Sequence, residues 1–196
     1  MATVQHGTRM TLAEYRGLEA AVDGIWELVD GVLEQVPPPS YDHQNLIDFL
    51  VSMINLFQMS LTAPMGWAVS GIGVVLGEQR APTPDMVYLR AERGHLIQGS
   101  FVEGIPDLIV EALSTDRARD LVMKREWYAA AGIPEYWVLD PVSDTLTILE
   151  LSGNEYVTRA VLRHPDTLTT STIPGFALPL VQLFNNPGRC LPIGRR

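Results

Sequence analysis

Cysteine is almost absent from this sequence, Cys190 being the single one. An internal disulfide is therefore excluded, and Cys190 is expected to be an inert thiol in a tail, in keeping with a reducing cytoplasm. No apolar stretch approaches the roughly 20 residues needed to span a bilayer, because Gly, Pro or charge interrupts each one. The opening "MATVQHGTRM" has no apolar h-region, so a secretory signal is not expected and a cytoplasmic location is. Cations are outnumbered, 14 Lys and Arg against 23 Asp and Glu, and the formal net charge of -9 works against broad attraction to a polyanion. Nucleic acid would have to be met by a local basic patch or by metal ions. Missing too are His/Cys clusters with zinc spacing, a Gly-rich phosphate loop before a helix and a G-x-S-x-G elbow. Those absences disfavour zinc enzymes, P-loop ATPases and serine hydrolases of that type.

What is present is the composition of a globular domain, 46% apolar and 19% charged. A chain of 196 residues suits one domain with a real core. That core is expected over about residues 11–185, with tails at 1–10 and 186–196. Thr11 and Glu14 have the capping-box spacing, so "TLAEYRGLEA" opens a short helix. "IWELVDGVLEQV" reads as a β-hairpin turning at Asp30-Gly31. From about Asp42 to Leu61, apolar residues recur at helical spacing, giving a long amphipathic helix that should pack on a sheet. "WAVSGIGVVLG", "DMVYLR" and "DLIVEAL" look like three strands, and "EYWVLD", "TLTILEL" and "YVTRAVL" like three more. One helix, about Asp116 to Ala131, falls among them, with Ser114, Thr115 and Asp116 offering N-cap oxygens and Gly132 and Pro134 the stop. Hairpins together with one strand-helix-strand unit predict an α/β fold with a mixed sheet.

Three ionisable residues stand out against this pattern. Strand alternation places Glu111 with Ile109 and Leu113 on one face, where a charged and unpaired carboxylate would cost several kcal/mol. On the following helix, at about 100° per residue, Lys124 shares a stripe with Leu121, Trp127, Tyr128 and Ala131, while Arg119 and Glu126 take the far side. Lys124 is therefore expected to point inward, although Arg117, Arg119, Lys124 and Arg125 together could also be read as a solvated basic face. Upstream, Asp85 follows Pro84 at a strand start, with Val87 and Leu89 on its own face; ordinary turn chemistry is the alternative there. Carboxylates on neighbouring strands can share a divalent cation, and an inward lysine nearby could steady developing phosphate charge.

"WELVDG", "HQ", the "PD" opening a strand, "PDLIVEALS" and "RARDLVMKREWYAAAGIPEYWVLDP" occur in an order that resembles the Uma2 family of restriction-endonuclease-like proteins, within the PD-(D/E)xK nuclease superfamily. The likeness spans about Leu12 to Phe184. It implies a restriction-endonuclease-like fold, a mixed central sheet flanked by helices, and phosphodiester cleavage of nucleic acid, DNA first among them, with Mg²⁺ or Mn²⁺. Carried over by position, the "PD" aspartate is Asp85 and the (D/E)xK acid is Glu111, both as metal ligands. Leu113 stands where the superfamily pattern expects lysine, and Lys124 on the next helix matches the lysine of Uma2-like proteins. Glu27 matches the acid of the "E-L-V-D-G" element and is a further candidate, with a solvent-facing hairpin glutamate as the alternative. His43 and Gln44 match the "HQ", and Tyr128 and Tyr136 are candidates to frame the site; a cap histidine and core aromatics are the plainer readings.

Three functions follow as expectations: a metal-dependent endonuclease, a non-catalytic binding or assembly protein on the same fold, and a phosphodiesterase acting on a small substrate. Cleaving both strands of a duplex would need two sites, which a homodimer would supply by symmetry.

Overall fold

The computed structural model describes residues 5–18, 23–113 and 118–188. Helix α1 (Leu12–Leu18) begins with the expected capping box: the Thr11 amide donates to Glu14 Oε2 at 2.7 Å, and the Glu14 amide to Thr11 Oγ1 at 3.3 Å. Strands β1 (Ile25–Val29) and β2 (Val32–Val36) form the antiparallel hairpin. Its two-residue turn places Asp30 at φ 49° and Gly31 at φ 73°, the left-handed conformation that such tight hairpins require. Gly7, Met10 and Leu33 continue the pairing, so residues expected in an N-terminal tail run along β2.

Helix α2 (Tyr41–Ser60) is capped by Ser40, whose Oγ accepts from the His43 amide. It buries Leu46, Ile47, Leu50 and Ile54 at the spacing its sequence shows. Then come β3 (Gly66–Val69), β4 (Gly73–Val74), β5 (Met86–Arg90), a 3₁₀ turn (Ala91–Leu96), β6 (Ile97–Gln98), β7 (Phe101–Val102) and β8 (Leu108–Ala112). Helix α3 (Ala118–Ala131) leads to β9 (Glu135–Asp140), β10 (Thr145–Ser152) and β11 (Glu155–Leu162), and β12 (Thr167–Thr169), β13 (Ala177–Pro179) and α4 (Leu180–Phe184) follow.

The central sheet has six strands in the order β11-β10-β9-β8-β5-β3. Only β8 and β9, joined through α3, run parallel in it; the other neighbours are antiparallel, so the sheet is mixed as the element pattern predicts. Its faces follow the period-two alternation. Met86, Tyr88, Leu108, Val110 and Trp137 pack with α2 and α4, while Val87, Leu89, Ile109 and Tyr136 pack with Tyr128 and Ala129 of α3. At the β3 edge the Asn55 side chain both donates to and accepts from the Ala68 backbone at 2.9 Å, covering an otherwise open ladder.

One expected strand needs correction. "WAVSGIGVVLG" is not one strand: β3 belongs to the central sheet, whereas β4 pairs in parallel with β7 in a separate three-stranded sheet. The change of sheet occurs at Ser70-Gly71, and Gly73 then passes so close to Phe101 that a Cβ there would sit 2.6 Å from the ring. Apolar alternation continues through the break and does not record it. The strands β6, β7, β12 and β13, two or three residues each, are too short for any periodicity to reveal. The proposed α3 cap residues Ser114, Thr115 and Asp116, with Arg117 and Cys190, lie outside the described residues, as do the Arg119 side chain and most of the expected C-terminal tail.

A second buried polar cluster went unread in the sequence. Glu135, next to Trp137 on the alternation, is buried and accepts from Trp137 Nε1 at 2.6 Å, from Thr170 Oγ1 at 2.8 Å and from Thr172 Oγ1. These bonds pin the loop after β12 to the start of β9, and three neutral donors thereby satisfy a buried carboxylate.

Candidate active site

Strands β5 and β8 pair with Met86 opposite Val110 and Val87 opposite Ile109. Continued by one residue, that register sets Asp85 across from Glu111 on the α3 face. Asp85 Oδ2 accepts the Ala112 amide at 2.8 Å, so the carboxylate satisfies a donor just past the end of the ladder. Two acids 26 positions apart in sequence thus become cross-strand neighbours.

Lys124 enters from α3, as its place in the apolar stripe predicts, and it is buried beside Trp127 and Tyr128. Its Nζ lies 3.1 Å from Glu111 Oε1 and 3.1 Å from Glu27 Oε1, bridging two carboxylates. Tyr128, one helical turn on, donates its hydroxyl to Glu111 Oε1 at 2.7 Å. Glu27 is therefore no solvent-facing hairpin residue. The Leu28 and Ala81 backbones pair with each other, and the Thr83 amide donates to Glu27 Oε1 at 2.9 Å, which docks β1 against the segment leading into β5.

His43, in the first turn of α2, is buried too, with Nε2 3.1 Å from Asp85 Oδ2. Gln44 bonds Asp48 on its own helix at 2.8 Å and, like Asp85, lines a cleft beside the hairpin. Tyr136 stacks edge-on against Tyr128 with ring centroids 5.4 Å apart, and so supports the site from the core. Of the residues singled out from sequence, Asp85, Glu111, Lys124, Glu27, His43 and Tyr128 come together; Gln44 stands at the cleft and Leu113 at the strand end. The backbone amides of Thr83 and Ala112 went unrecognised, since a main-chain donor leaves no mark in a sequence.

The two central acids are driven apart electrostatically. Burial pushes the Glu111 carboxyl up to about 7; Lys124 and the Tyr128 hydroxyl hold it down in part, and Asp85 and Glu27 push it further up. Burial also acts to raise Asp85, but its contact with His43, the Ala112 amide and Lys124 together outweigh that and leave it lowered. Burial and the adjacent Glu111 raise Tyr128 well above the usual phenol range, so it remains a donor. Opposite shifts in paired carboxylates are the pattern found where two acids carry different roles.

This has a consequence for stability. A carboxyl whose folded pKa is raised from 4.5 to about 7 binds more protons folded than unfolded between those values. In metal-free protein its contribution is full below pH about 4.5 and is lost as pH rises towards about 7. Thermal unfolding in a chelator is expected to show stability falling with pH over this window, and Glu111→Gln to flatten the slope.

Asp85 and Glu111 are the pair that could hold a cation: an all-oxygen donor set, with each negative charge unfavourable to the other. Among the described residues no three His, Cys, Asp or Glu side chains form a ready metal cage. Two carboxylates with water or substrate completing the shell is the kind of site Mg²⁺ takes.

Among solved structures, the fold is similar to the crystal structure of a "putative nuclease" from Anabaena variabilis, with a TM-score of 0.71 at 22% identity, over 90% of this chain and 98% of that one. The shared architecture is the mixed sheet flanked by helices of restriction-endonuclease-like folds. No curated protein matches the sequence. The Uma2 profile, described as "Putative restriction endonuclease", matches residues 12–181. With that match extending over most of its length, the chain belongs to the Uma2 family.

Proposed function

We propose that this protein is a metal-dependent nuclease in which Asp85 and Glu111 hold Mg²⁺ or Mn²⁺ and Lys124 stabilises charge on the phosphoryl group under attack. The observation that carries this reading is the convergence of an acid at the start of β5, an acid on β8 and a lysine from α3 within a buried, otherwise apolar face. Membership of Uma2 supports a nuclease-like activity, with nucleic acid as the partner. A cation at this pair would polarise the phosphodiester and lower the pKa of an attacking water.

The chain's own groups then have distinct tasks. Water adds to phosphorus and gives up a proton to solvent, the bond from phosphorus to the leaving oxygen breaks with that oxygen taking a proton from solvent, and negative charge accumulates on the phosphoryl oxygens in between. The Lys124 ammonium is a preplaced countercharge for it, aimed by Glu27 and Glu111 so that little reorganisation is needed. Tyr128 orients Glu111, and His43 with the Ala112 amide orients Asp85. Lys124 thereby takes the role that Leu113, two positions after Glu111, has no group to fill.

The test is purified protein with Mg²⁺ or Mn²⁺ and a panel of DNA and RNA forms. Cleavage that requires the metal supports the reading; no cleavage under any condition sinks it. The net charge of -9 favours a second reading, a non-catalytic binding or assembly protein on the same fold. Calorimetry separates the two, since that reading requires no binding of Mn²⁺ at millimolar concentration.

A further inference from the structure

The groups assigned to the chemistry are enclosed. The Glu111 side chain is 3% exposed, that of Lys124 4% and that of Glu27 7%, and the Asp85 side chain, at 13%, is the most accessible of the four. A scissile phosphate therefore has to travel to them. The cleft that reaches Asp85 has a volume of about 120 Å³ and passes between Ile25 and Val36 of the hairpin, Pro37 and Pro39 after it, and Ile47 of α2. This is well below the roughly 300–1,000 Å³ of pockets that enclose whole drug-sized ligands. One phosphodiester linkage fits such a space, whereas the rigid backbone of a duplex, with a major groove alone about 12 Å wide, cannot be pressed into it.

The walls do not yield easily. Two prolines limit the backbone on one side. The hairpin on the other is pinned by the Glu27–Lys124 ion pair and the Leu28–Ala81 backbone pairing, so swinging it aside would expose a buried ion pair. Nor does the cleft offer a track for duplex phosphates. A duplex carries one negative charge per about 1.7 Å of axis, and proteins that follow it line the path with Lys and Arg. Among the described residues lining this cleft none is Lys or Arg, and the charge it presents is that of Asp85.

On the strength of the nuclease reading above, we propose that the substrate is a flexible single strand, presented one phosphodiester at a time through the cleft between the hairpin and α2, and not intact duplex. Ile25, Val36 and Ile47 give the strand an apolar wall, Gln44, Ser70 and Thr83 give it polar groups, and one site suffices without a second copy of the chain.

The experiment measures Mn²⁺-dependent cleavage of a labelled single-stranded oligonucleotide, the same sequence as a blunt duplex, and bis(p-nitrophenyl) phosphate. The expected result is a kcat/KM on the single strand at least roughly tenfold above that on the duplex. Its dependence on salt should be shallow, with a slope near -0.7 for each of the one or two phosphates contacted. Ile25, which is 40% exposed at the cleft and so tolerates substitution, provides a second arm. Ile25→Trp should raise KM for the strand roughly tenfold with kcat little changed. Equal or faster cleavage of the duplex, or an unchanged KM in Ile25→Trp, overturns the inference and leaves the nuclease reading standing. Cleavage of the small phosphodiester alone overturns the assignment to a strand. Cleavage of none of the three removes the nuclease reading itself.

Discussion

Lys124→Ala is expected to lower the rate of phosphodiester cleavage by roughly 100- to 1,000-fold, the usual effect of removing a preorganised charge from a transition state. The same change also damages the protein. Lys124 is within 3.1 Å of both Glu27 and Glu111, so its loss leaves two buried carboxylates facing each other, at a cost of about 3–5 kcal/mol. Low activity in Lys124→Ala alone would therefore not separate chemistry from unfolding. The double variant Lys124→Met, Glu27→Gln removes one positive and one negative charge together and retains most of the packing volume. Its melting temperature should recover most of the way to that of the parent while activity stays at the level of Lys124→Ala. If activity recovers along with stability, Lys124 is a structural counter-ion and not a group acting on phosphate. Double-mutant comparison is apt because all three residues touch and their effects will not add.

Glu111→Gln should move function and stability in opposite directions. Glutamine keeps an oxygen for the Tyr128 hydroxyl and the same volume, but it removes a carboxylate that burial, Asp85 and Glu27 all make costly to ionise. Above pH about 7, where Glu111 is ionised in the parent, the metal-free variant should therefore unfold at a higher temperature than the parent. Affinity for Mn²⁺, read by calorimetry, should fall by at least roughly 100-fold, since even an orienting partner of a metal ligand is worth 10- to 100-fold. Activity should fall with it. An unchanged Mn²⁺ affinity would show that Glu111 holds no metal and that its burial serves only the ion pair with Lys124. Sites that bind or react are commonly places where the fold tolerates local cost, and a stabilising loss-of-function change is the mark of one.

The secondary structure around this site was legible because it is local. The Thr11–Glu14 capping box, the Asp30-Gly31 turn and the helical spacing of α2 each need only a few neighbouring residues, and each forms as read. Legible for the same reason were the faces. Alternation assigned Glu111 to the side of Ile109, and a 3.6-residue period assigned Lys124 to the side of Trp127 and Tyr128. The order of motifs also sufficed to connect the chain with Uma2. By contrast, a solvent-facing hairpin residue was as good a reading of Glu27 as a buried one, and a surface cap was the plainer reading of His43, because nothing in their own neighbourhoods shows what packs over them.

What the sequence by itself determined is which residues are out of place: an acid on an apolar strand face, a lysine in an apolar stripe, an aspartate after proline at a strand start. Only the tertiary structure decided that they share one site. Asp85 meets Glu111 through the register of β5 on β8, and Glu27 meets Lys124 across 97 positions because Leu28 pairs with Ala81 and so docks the hairpin there. Periodicity reports the direction of a side chain relative to its own element and contains no term for where that element lies. Convergence depends on strand register and docking, which are settled by burial and backbone pairing summed over the whole domain.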